Sequence, residues 1–201
     1  MDLYMDAEFI GNIINRLIFT ITLVVVVSFF RDEGKWTVKK VKEYFKYYTV
    51  LSNVLCAIAA YCMVVKPKAD WAWLLKYIAT VGITVTMLTV FLYLAPTMKN
   101  LWVLLKGRDL FMHLITPVLA IVSFLVFERR EMDYTTIPFG VLPVVVYGVV
   151  YLYMIRFVPK EYRWDDFYGF NRKGLWPLSF ALMLIATYLI CIGFYMIMKH
   201  V

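Results

Sequence analysis

Charged residues are scarce in this chain, and that scarcity restricts its class. Only 17% of its 201 residues are Asp, Glu, Lys or Arg, whereas 63% are hydrophobic, and the mean hydropathy is +0.73. A soluble domain has about a quarter charged and about half apolar residues. The composition therefore excludes an ordinary soluble domain and indicates an integral membrane protein.

The residue types that build common metal and cofactor sites are also few. Cys56, Cys62 and Cys191 lie inside apolar runs without a Cys-x-x-Cys spacing, so we expect packing residues, not disulfides or metal ligands. Only one histidine, His113, lies in an apolar run, and a zinc hydrolase needs about three converging ligands. The sequence also lacks a G-x-S-x-G elbow, a phosphate-binding glycine loop and nucleic-acid-binding motifs. We predict no metal, no cofactor and no nucleic-acid partner.

Long apolar runs dominate the rest of the chain. Each has about 20 residues and can cross about 30 Å of hydrocarbon as a helix, whereas the alternation of a β-barrel strand is missing. The connections are too short to bury a soluble core. We predict an all-α polytopic membrane protein, one domain over residues 1–201 with six transmembrane helices in one bundle. The predicted spans are 8–30, 45–65, 72–95, 110–128, 137–157 and 177–198.

The distribution of Lys and Arg predicts the orientation. The connections 31–46, 96–109 and 156–176 carry six, three and five of the 21 basic residues, whereas the two other connections and the termini carry six in total. Under the positive-inside rule, the first set faces the cytoplasm, beside anionic headgroups, and both termini lie on the opposite side. No cleavage site follows the first span, so we expect a retained anchor. A bacterial inner membrane is favoured, with the endoplasmic reticulum as the alternative.

Two connections have a pattern of their own. In the first, Val38, Val41 and Tyr44–Phe45 recur at helical spacing among lysines, which predicts an amphipathic helix leading into the second span. The connection 156–176 is rich in aromatic and charged residues. Such a segment either lies at the membrane interface or caps a cavity that opens on that side.

Polar residues inside the second span require an explanation. Thr49, Ser52 and Asn53 are spaced i, i+3, i+4 and therefore share one helix face. One explanation is packing, because hydroxyl and amide groups form hydrogen bonds between membrane helices at about 0.6 kcal/mol each. The alternative is a nucleophile at Thr49, supported by Ser52 and Asn53, one of which would donate to a developing oxyanion.

His113 in the fourth span has a similar pair of explanations. It is either a structural hydrogen-bonding residue or a general base, since imidazole titrates near neutral pH. Asp109 precedes it by four residues and is either the helix N-cap or the group that orients the imidazole. Thr49 and His113 each lie about four residues into spans that start at the same face, so both should be about 5–6 Å deep. Equal depth makes a hydrogen bond between them possible, and a nucleophile–base pair requires one of about 3 Å.

A basic residue inside the first span also requires a partner. Arg16, one turn after Asn12, lies about eight residues from the outer end of its span. It either extends to the membrane surface or pairs with Glu128 near the end of the fourth span. We expect the ion pair.

Three short segments resemble a known family. FKYYTVLSNVL, LFMHLITPVL and GLWPLSF occur in the order of the corresponding segments of the androgen-induced membrane proteins, which hydrolyse fatty acid esters of hydroxy fatty acids. The Ser-Asn pair after the threonine is more similar to bacterial integral membrane proteins associated with that fold. The resemblance implies an intramembrane threonine hydrolase with Thr49 as nucleophile and His113 as base. Ser52 stands where the animal enzymes have an acidic residue, which leaves the substrate open.

These observations together predict a lipid enzyme. It would hydrolyse a fatty acyl ester, or transfer the acyl group to another alcohol, with Thr49 and His113 as catalytic residues and membrane lipids as partners. The alternatives are a non-catalytic lipid-binding or scaffold protein and a small-solute transporter. The transporter is disfavoured because the sequence shows no internal repeat and because the polar pair Thr49 and His113 is shallow in the membrane.

Overall fold

The computed structural model describes residues 2–32, 35–98 and 101–200. Six helices in it are long and apolar enough to cross a membrane, which confirms the all-α polytopic architecture. Their ends differ from the predicted spans by a few residues at most. The spanning helices are Ala7–Ser28, Tyr48–Val65, Asp70–Thr97, Arg108–Phe127, Tyr134–Arg156 and Trp176–Lys199.

Several spanning helices are composite. The first and sixth belong to continuous α-helices Asp2–Ser28 and Trp176–His200, and the second is the α-helix Tyr48–Val65. The others combine α, π and 3₁₀ segments. The third helix consists of the α segment Asp70–Thr89, the π segment Val90–Leu94 and the α segment Ala95–Met98. The fourth consists of the α segment Arg108–Leu110, the π segment Phe111–Ile115, the α segment Thr116–Val122 and the π segment Ser123–Phe127. The fifth consists of the 3₁₀ segment Tyr134–Val141 and the α segment Leu142–Arg156.

Proline explains the register change in the fourth helix. The Thr116 N–H bonds to the Phe111 carbonyl, five residues back, and the next residue, Pro117, has no N–H to donate. The carbonyl of Met112 is therefore left without the N–H of residue 116 or 117. Pro96 follows the π segment Val90–Leu94 at the same offset. Such π turns are frequent at functional sites.

Short elements occupy the connections. The predicted amphipathic helix is present as Lys39–Tyr44, and Tyr44 stacks on Phe29 of the first helix with ring centroids 4.2 Å apart. Before it, two short antiparallel strands, Arg31–Asp32 and Lys35–Trp36, form a pairing that hydropathy does not predict. The remaining short elements are the α-helix Leu101–Leu104 and the 3₁₀ turns Lys160–Tyr162 and Arg172–Gly174.

The third helix is the centre of the bundle, since it packs against the second, fourth, fifth and sixth helices. Its side chains from Ala79 to Thr86 are all buried. Its close packing against the fifth helix depends on Gly140, where a Cβ atom would lie 2.9 Å from the Tyr77 hydroxyl of the third helix and 2.6 Å from the Cys191 sulfur of the sixth. Cys191 and Cys56 are free and buried in this core.

Two expectations about charged residues are wrong. The count of basic residues assigned Lys76 to the connection before the third span, but the third helix begins at Asp70. Lys76 therefore lies about 9 Å into the helix, where it is fully buried. Arg16 does not pair with Glu128: its Nε donates to Asn12 Oδ1 at 2.7 Å on the exposed side of the first helix. The cation near Glu128 is Lys76, at 3.8 Å from Oε1.

Candidate functional site

Thr49 lies at one end of an apolar cavity of about 650 Å³. This volume is in the range of small-molecule and lipid sites, about 300–1,000 Å³. Side chains of the third, fifth and sixth helices form its walls, and they are mostly aliphatic. Examples are Val85, Leu88, Val144, Leu182, Ala186 and Ile190. A wall of this composition suits a hydrocarbon chain.

The polar end of the cavity is a cluster around Thr49. Tyr48, Tyr147 and Tyr168 line the cavity together with the threonine, and Tyr147 donates to the carbonyl of Lys46 at 2.9 Å. Burial raises the pKa of the Tyr168 phenol to about 12, and hydrogen bonding from the Tyr48 backbone and from the Thr49 and Tyr147 side chains acts in the opposite direction. The Thr49 hydroxyl therefore lies beside the Tyr168 phenol.

The connection after the fifth helix closes this end of the cavity. Tyr168, Gly169 and Phe170 are part of the cavity wall, as one of the two interpretations of this aromatic segment predicts. Gly169 adopts φ +62°, and a Cβ there would lie 2.9 Å from the Tyr93 hydroxyl. Both the backbone conformation and the close approach require glycine at this position.

Asp166 holds this segment in place. Its Oδ1 accepts hydrogen bonds from the Phe170 N–H at 2.7 Å and the Tyr151 hydroxyl at 3.1 Å, and its Oδ2 accepts from the Asn171 N–H at 2.8 Å. The Tyr151 oxygen in turn accepts from the Tyr168 N–H at 3.2 Å. Bonds to a carboxylate are stronger than bonds between neutral groups, so this side chain fixes the cover over Thr49.

Asp166→Asn should loosen the cover without unfolding the bundle. The amide cannot accept on both sides, so one of the backbone bonds is lost. We expect amide hydrogen exchange at residues 168–171 to become about tenfold faster, the factor that about 1.4 kcal/mol produces. Hydrogen-exchange mass spectrometry measures this rate. Asp165→Asn is the matched control, because the Asp165 side chain makes no hydrogen bond within the described ranges; equal exchange in both variants would contradict the role of Asp166.

The second and fourth helices adjoin each other at the level of Thr49. Asn53 Nδ2 donates to the Thr49 carbonyl at 2.8 Å and to the Met112 carbonyl at 3.0 Å. The second bond supplies a donor to the carbonyl that the π turn and Pro117 leave open. Thr49 and His113 therefore belong to neighbouring turns of adjacent helices, as their predicted depth requires.

His113 itself is turned toward a different partner. Its Nδ1 lies 2.7 Å from the Leu104 carbonyl oxygen, and since a carbonyl only accepts, Nδ1 carries the proton. In the neutral ring, Nε2 is then the basic atom. The hydrogen bond that the catalytic hypothesis requires between Thr49 and His113 is not present among the residues that the structure describes, and His113 does not line the cavity.

Asp109 does not have either of its expected structural roles. The N-cap of the short helix Arg108–Leu110 is Gly107, and Asp109 lies exposed in the first turn. The Leu104 carbonyl, not the Asp109 carboxylate, bonds to the His113 ring. The sequence spacing placed Asp109 one turn before His113, but the group that bonds to the His113 ring comes from the preceding helix Leu101–Leu104.

Ser52 and Asn53 have no donor left for an oxyanion. The Ser52 hydroxyl donates to the Thr49 carbonyl at 3.1 Å and contacts the Thr86 hydroxyl at 2.7 Å. Both Asn53 N–H groups are used by the two carbonyl bonds. The expected oxyanion role is therefore wrong for both in this arrangement, and they instead join the second helix to the third and fourth.

A further hydroxyl donor, not predicted from the sequence, is present at Tyr48. Its hydroxyl is buried and has no hydrogen-bond partner among the described residues. It lies near Gly82 of the third helix, and the side chain lines the same cavity as Thr49. A tyrosine at the start of a membrane helix has the pattern of an interfacial residue, so the sequence carried no signal for this position.

Among the described residues, no group of three His, Cys, Asp or Glu side chains could hold a metal.

Comparisons with family models, curated proteins and solved structures find no match. The features that bear on function are therefore the cavity and the side chains at its polar end.

Proposed function

We propose that the protein is a membrane-embedded enzyme that hydrolyses a fatty acyl ester or transfers its acyl group. Thr49 is the nucleophile, His113 the general base and the apolar cavity the site of the acyl chain. The observation that supports this most strongly is the position of Thr49, whose side chain lies where an aliphatic cavity of about 650 Å³ meets a group of polar side chains. The resemblance of three segments to the androgen-induced membrane proteins supports the same chemistry.

In this mechanism the acyl chain lies among the aliphatic side chains and its ester carbonyl lies beside Thr49. The Thr49 oxygen forms a bond to the carbonyl carbon while its proton moves to His113 Nε2. The ester C–O bond then breaks, and the departing alkoxide takes that proton. Water, or another alcohol, attacks the acyl-threonine and restores the enzyme. The Tyr48 hydroxyl is the donor for the oxyanion, because its proton has no acceptor within the described ranges.

The proton transfer requires a change at the Thr49–His113 pair. Nε2 has to come within about 3 Å of the Thr49 oxygen, and catalytic hydrogen bonds often become short only when substrate is bound. Because the two residues belong to adjoining turns, a local change of side-chain torsion and helix position is sufficient. Substrate that binds beside the Thr49 hydroxyl would displace the Tyr168 phenol and so favour this change.

The experiment is covalent labelling of the purified protein in detergent with a long-chain fluorophosphonate. We expect one adduct, located on Thr49 by peptide mass spectrometry. Thr49→Ala should abolish labelling, and Thr49→Ser should retain it because the hydroxyl is kept. Thr89→Ala is the matched control, since Thr89 lines the same cavity and has no role in the mechanism. Labelling that is absent from wild type, or that survives Thr49→Ala, would refute the enzyme.

A lipid-binding protein without catalytic activity is the second candidate. It is favoured by one observation, the bond of His113 to Leu104 in place of Thr49. Both candidates predict a bound acyl chain, but only the enzyme predicts the Thr49 adduct.

For either function we propose the orientation that the basic residues indicate, with the Thr49 end at the cytoplasmic face, in a bacterial inner membrane.

A further inference from the structure

A second cavity, of about 470 Å³, lies at the other end of the bundle. Met63, on the same helix as Thr49 but 14 residues later, lines it, so the two cavities are separated by about 21 Å along the helix axis. The beginning of the first helix and the turn 126–130 form its other walls. It is independent of the proposed catalytic site.

A buried polar network forms the floor of this cavity. Lys76 Nζ donates to Asn15 Oδ1 at 2.5 Å, and Asn15 Nδ2 donates to Glu128 Oε1 at 2.5 Å. The Ser123 hydroxyl donates to the same carboxylate oxygen at 2.6 Å. Trp73 Nε1 fixes the backbone of Glu128 by donating to its carbonyl at 2.8 Å. The position of the carboxylate is thus determined by three helices.

One oxygen of that carboxylate has no partner. Glu128 is 9% exposed, and its Oε2 accepts no hydrogen bond from the described residues, although Glu128 lines the cavity. Leaving a buried charged acceptor unpaired is costly. A hydrogen-bond donor that enters the cavity and reaches this oxygen would satisfy it, and a cationic donor would do so best.

The rim of the cavity carries the opposite charge. Three basic residues, Lys68, Arg129 and Arg130, line it, together with one further acidic residue, Glu8. Arg130 is held by Asp70 Oδ1 at 2.9 Å and by the Pro67 carbonyl at 2.6 Å. Arg129 uses Nε for the Leu125 carbonyl, and within the described ranges its terminal amino groups remain available. A buried carboxylate below and guanidinium groups above match a ligand with an ammonium at one end and a phosphate near it.

We propose that this cavity binds the headgroup of a phospholipid that carries a primary amine, that is, phosphatidylethanolamine. Its ammonium donates to Glu128 Oε2, and its phosphate lies against Arg129 and Lys68. A primary ammonium has three N–H donors, whereas the quaternary ammonium of phosphatidylcholine has none and cannot satisfy the carboxylate. The lipid is favoured over a soluble phosphate ester because Met63, Val126 and Phe127 add apolar surface to the cavity, and the helices around it span a membrane.

Native mass spectrometry of the full chain with defined lipids tests this. We expect binding of phosphatidylethanolamine to be about tenfold tighter than that of phosphatidylcholine with the same acyl chains, and tighter than that of phosphatidylglycerol. Lys68→Ala/Arg129→Ala should weaken it about tenfold without unfolding, since both side chains are exposed. Lys160→Ala, an exposed lysine outside the cavity, is the matched control.

Three results would overturn the proposal. The first is equal binding of the ethanolamine and choline lipids. The second is preferential binding of phosphatidylglycerol, which would indicate a simple anion site. The third is unchanged discrimination between the two zwitterionic lipids in Glu128→Gln, whose fold is checked by circular dichroism. Soluble phosphoethanolamine that competes at the same concentration as the lipid would show that the ligand is not a membrane lipid.

Discussion

Lys76→Met is expected to lower the free energy of unfolding by about 3–5 kcal/mol, the usual cost of removing one partner of a buried ion pair. Lys76 is fully buried, donates to Asn15 and lies 3.8 Å from Glu128 Oε1. Methionine fills a similar volume, so the loss is electrostatic and not a cavity effect. The carboxylate of Glu128 would remain in the core without a cation.

The double variant Lys76→Met/Glu128→Gln separates this cause from packing. Glutamine is neutral and its carbonyl oxygen still accepts from Asn15 and Ser123, so the double variant should recover about half of the lost stability or more. Unfolding by sodium dodecyl sulfate in mixed micelles, followed by circular dichroism, measures both. Lys66→Met, at an exposed lysine of the same charge, is the control. A double variant as unstable as the sum of the single changes would show that the two side chains do not interact.

The membrane architecture could be predicted from the sequence because it depends on a one-dimensional property. A run of about 20 apolar residues has to be a helix in a bilayer, whatever it packs against. Lys76 shows the limit of that argument. The predicted span 72–95 contains Lys76, yet the count of basic residues assigned this lysine to the preceding connection. Asp70 lies in the first turn of the helix, so Lys76 belongs to the span. An acidic residue at a helix start is a signal that could have removed Lys76 from that count.

Pairing between helices could be predicted only in part. The equal depth of Thr49 and His113 follows from distance along the chain, and the structure indeed has the two turns on adjacent helices. Which atoms bond across that contact depends on register and on π turns, neither of which periodicity reveals. The Leu104 carbonyl became the partner of His113 because the chain reverses at Gly107, φ +61°, and returns beside it. Glu128 lies near Lys76 and not near Arg16 because the rotation of each helix about its axis decides which side chains face inward.

The second large effect is expected at His113. If His113 is the proposed general base, His113→Asn should lower kcat for hydrolysis of a fatty acyl ester by about 10²- to 10⁴-fold, the usual contribution of such a group. Asparagine is the informative replacement because its amide N–H can still donate to the Leu104 carbonyl as Nδ1 does. The structural hydrogen bond is kept and only the basic Nε2 is lost. KM should change little, since His113 does not line the cavity.

The same variant distinguishes the two explanations of a lone membrane histidine. If His113 is only a structural hydrogen-bonding residue, His113→Asn retains full turnover while His113→Ala, which leaves the Leu104 carbonyl unpaired, loses stability by about 1–3 kcal/mol. If it is the base, both variants lose turnover, and combining either with Thr49→Ala causes no further loss because the two residues act in one step. Independent, multiplicative losses would mean that another group accepts the Thr49 proton. The Tyr168 phenol, which adjoins the Thr49 hydroxyl, would then be the next residue to replace.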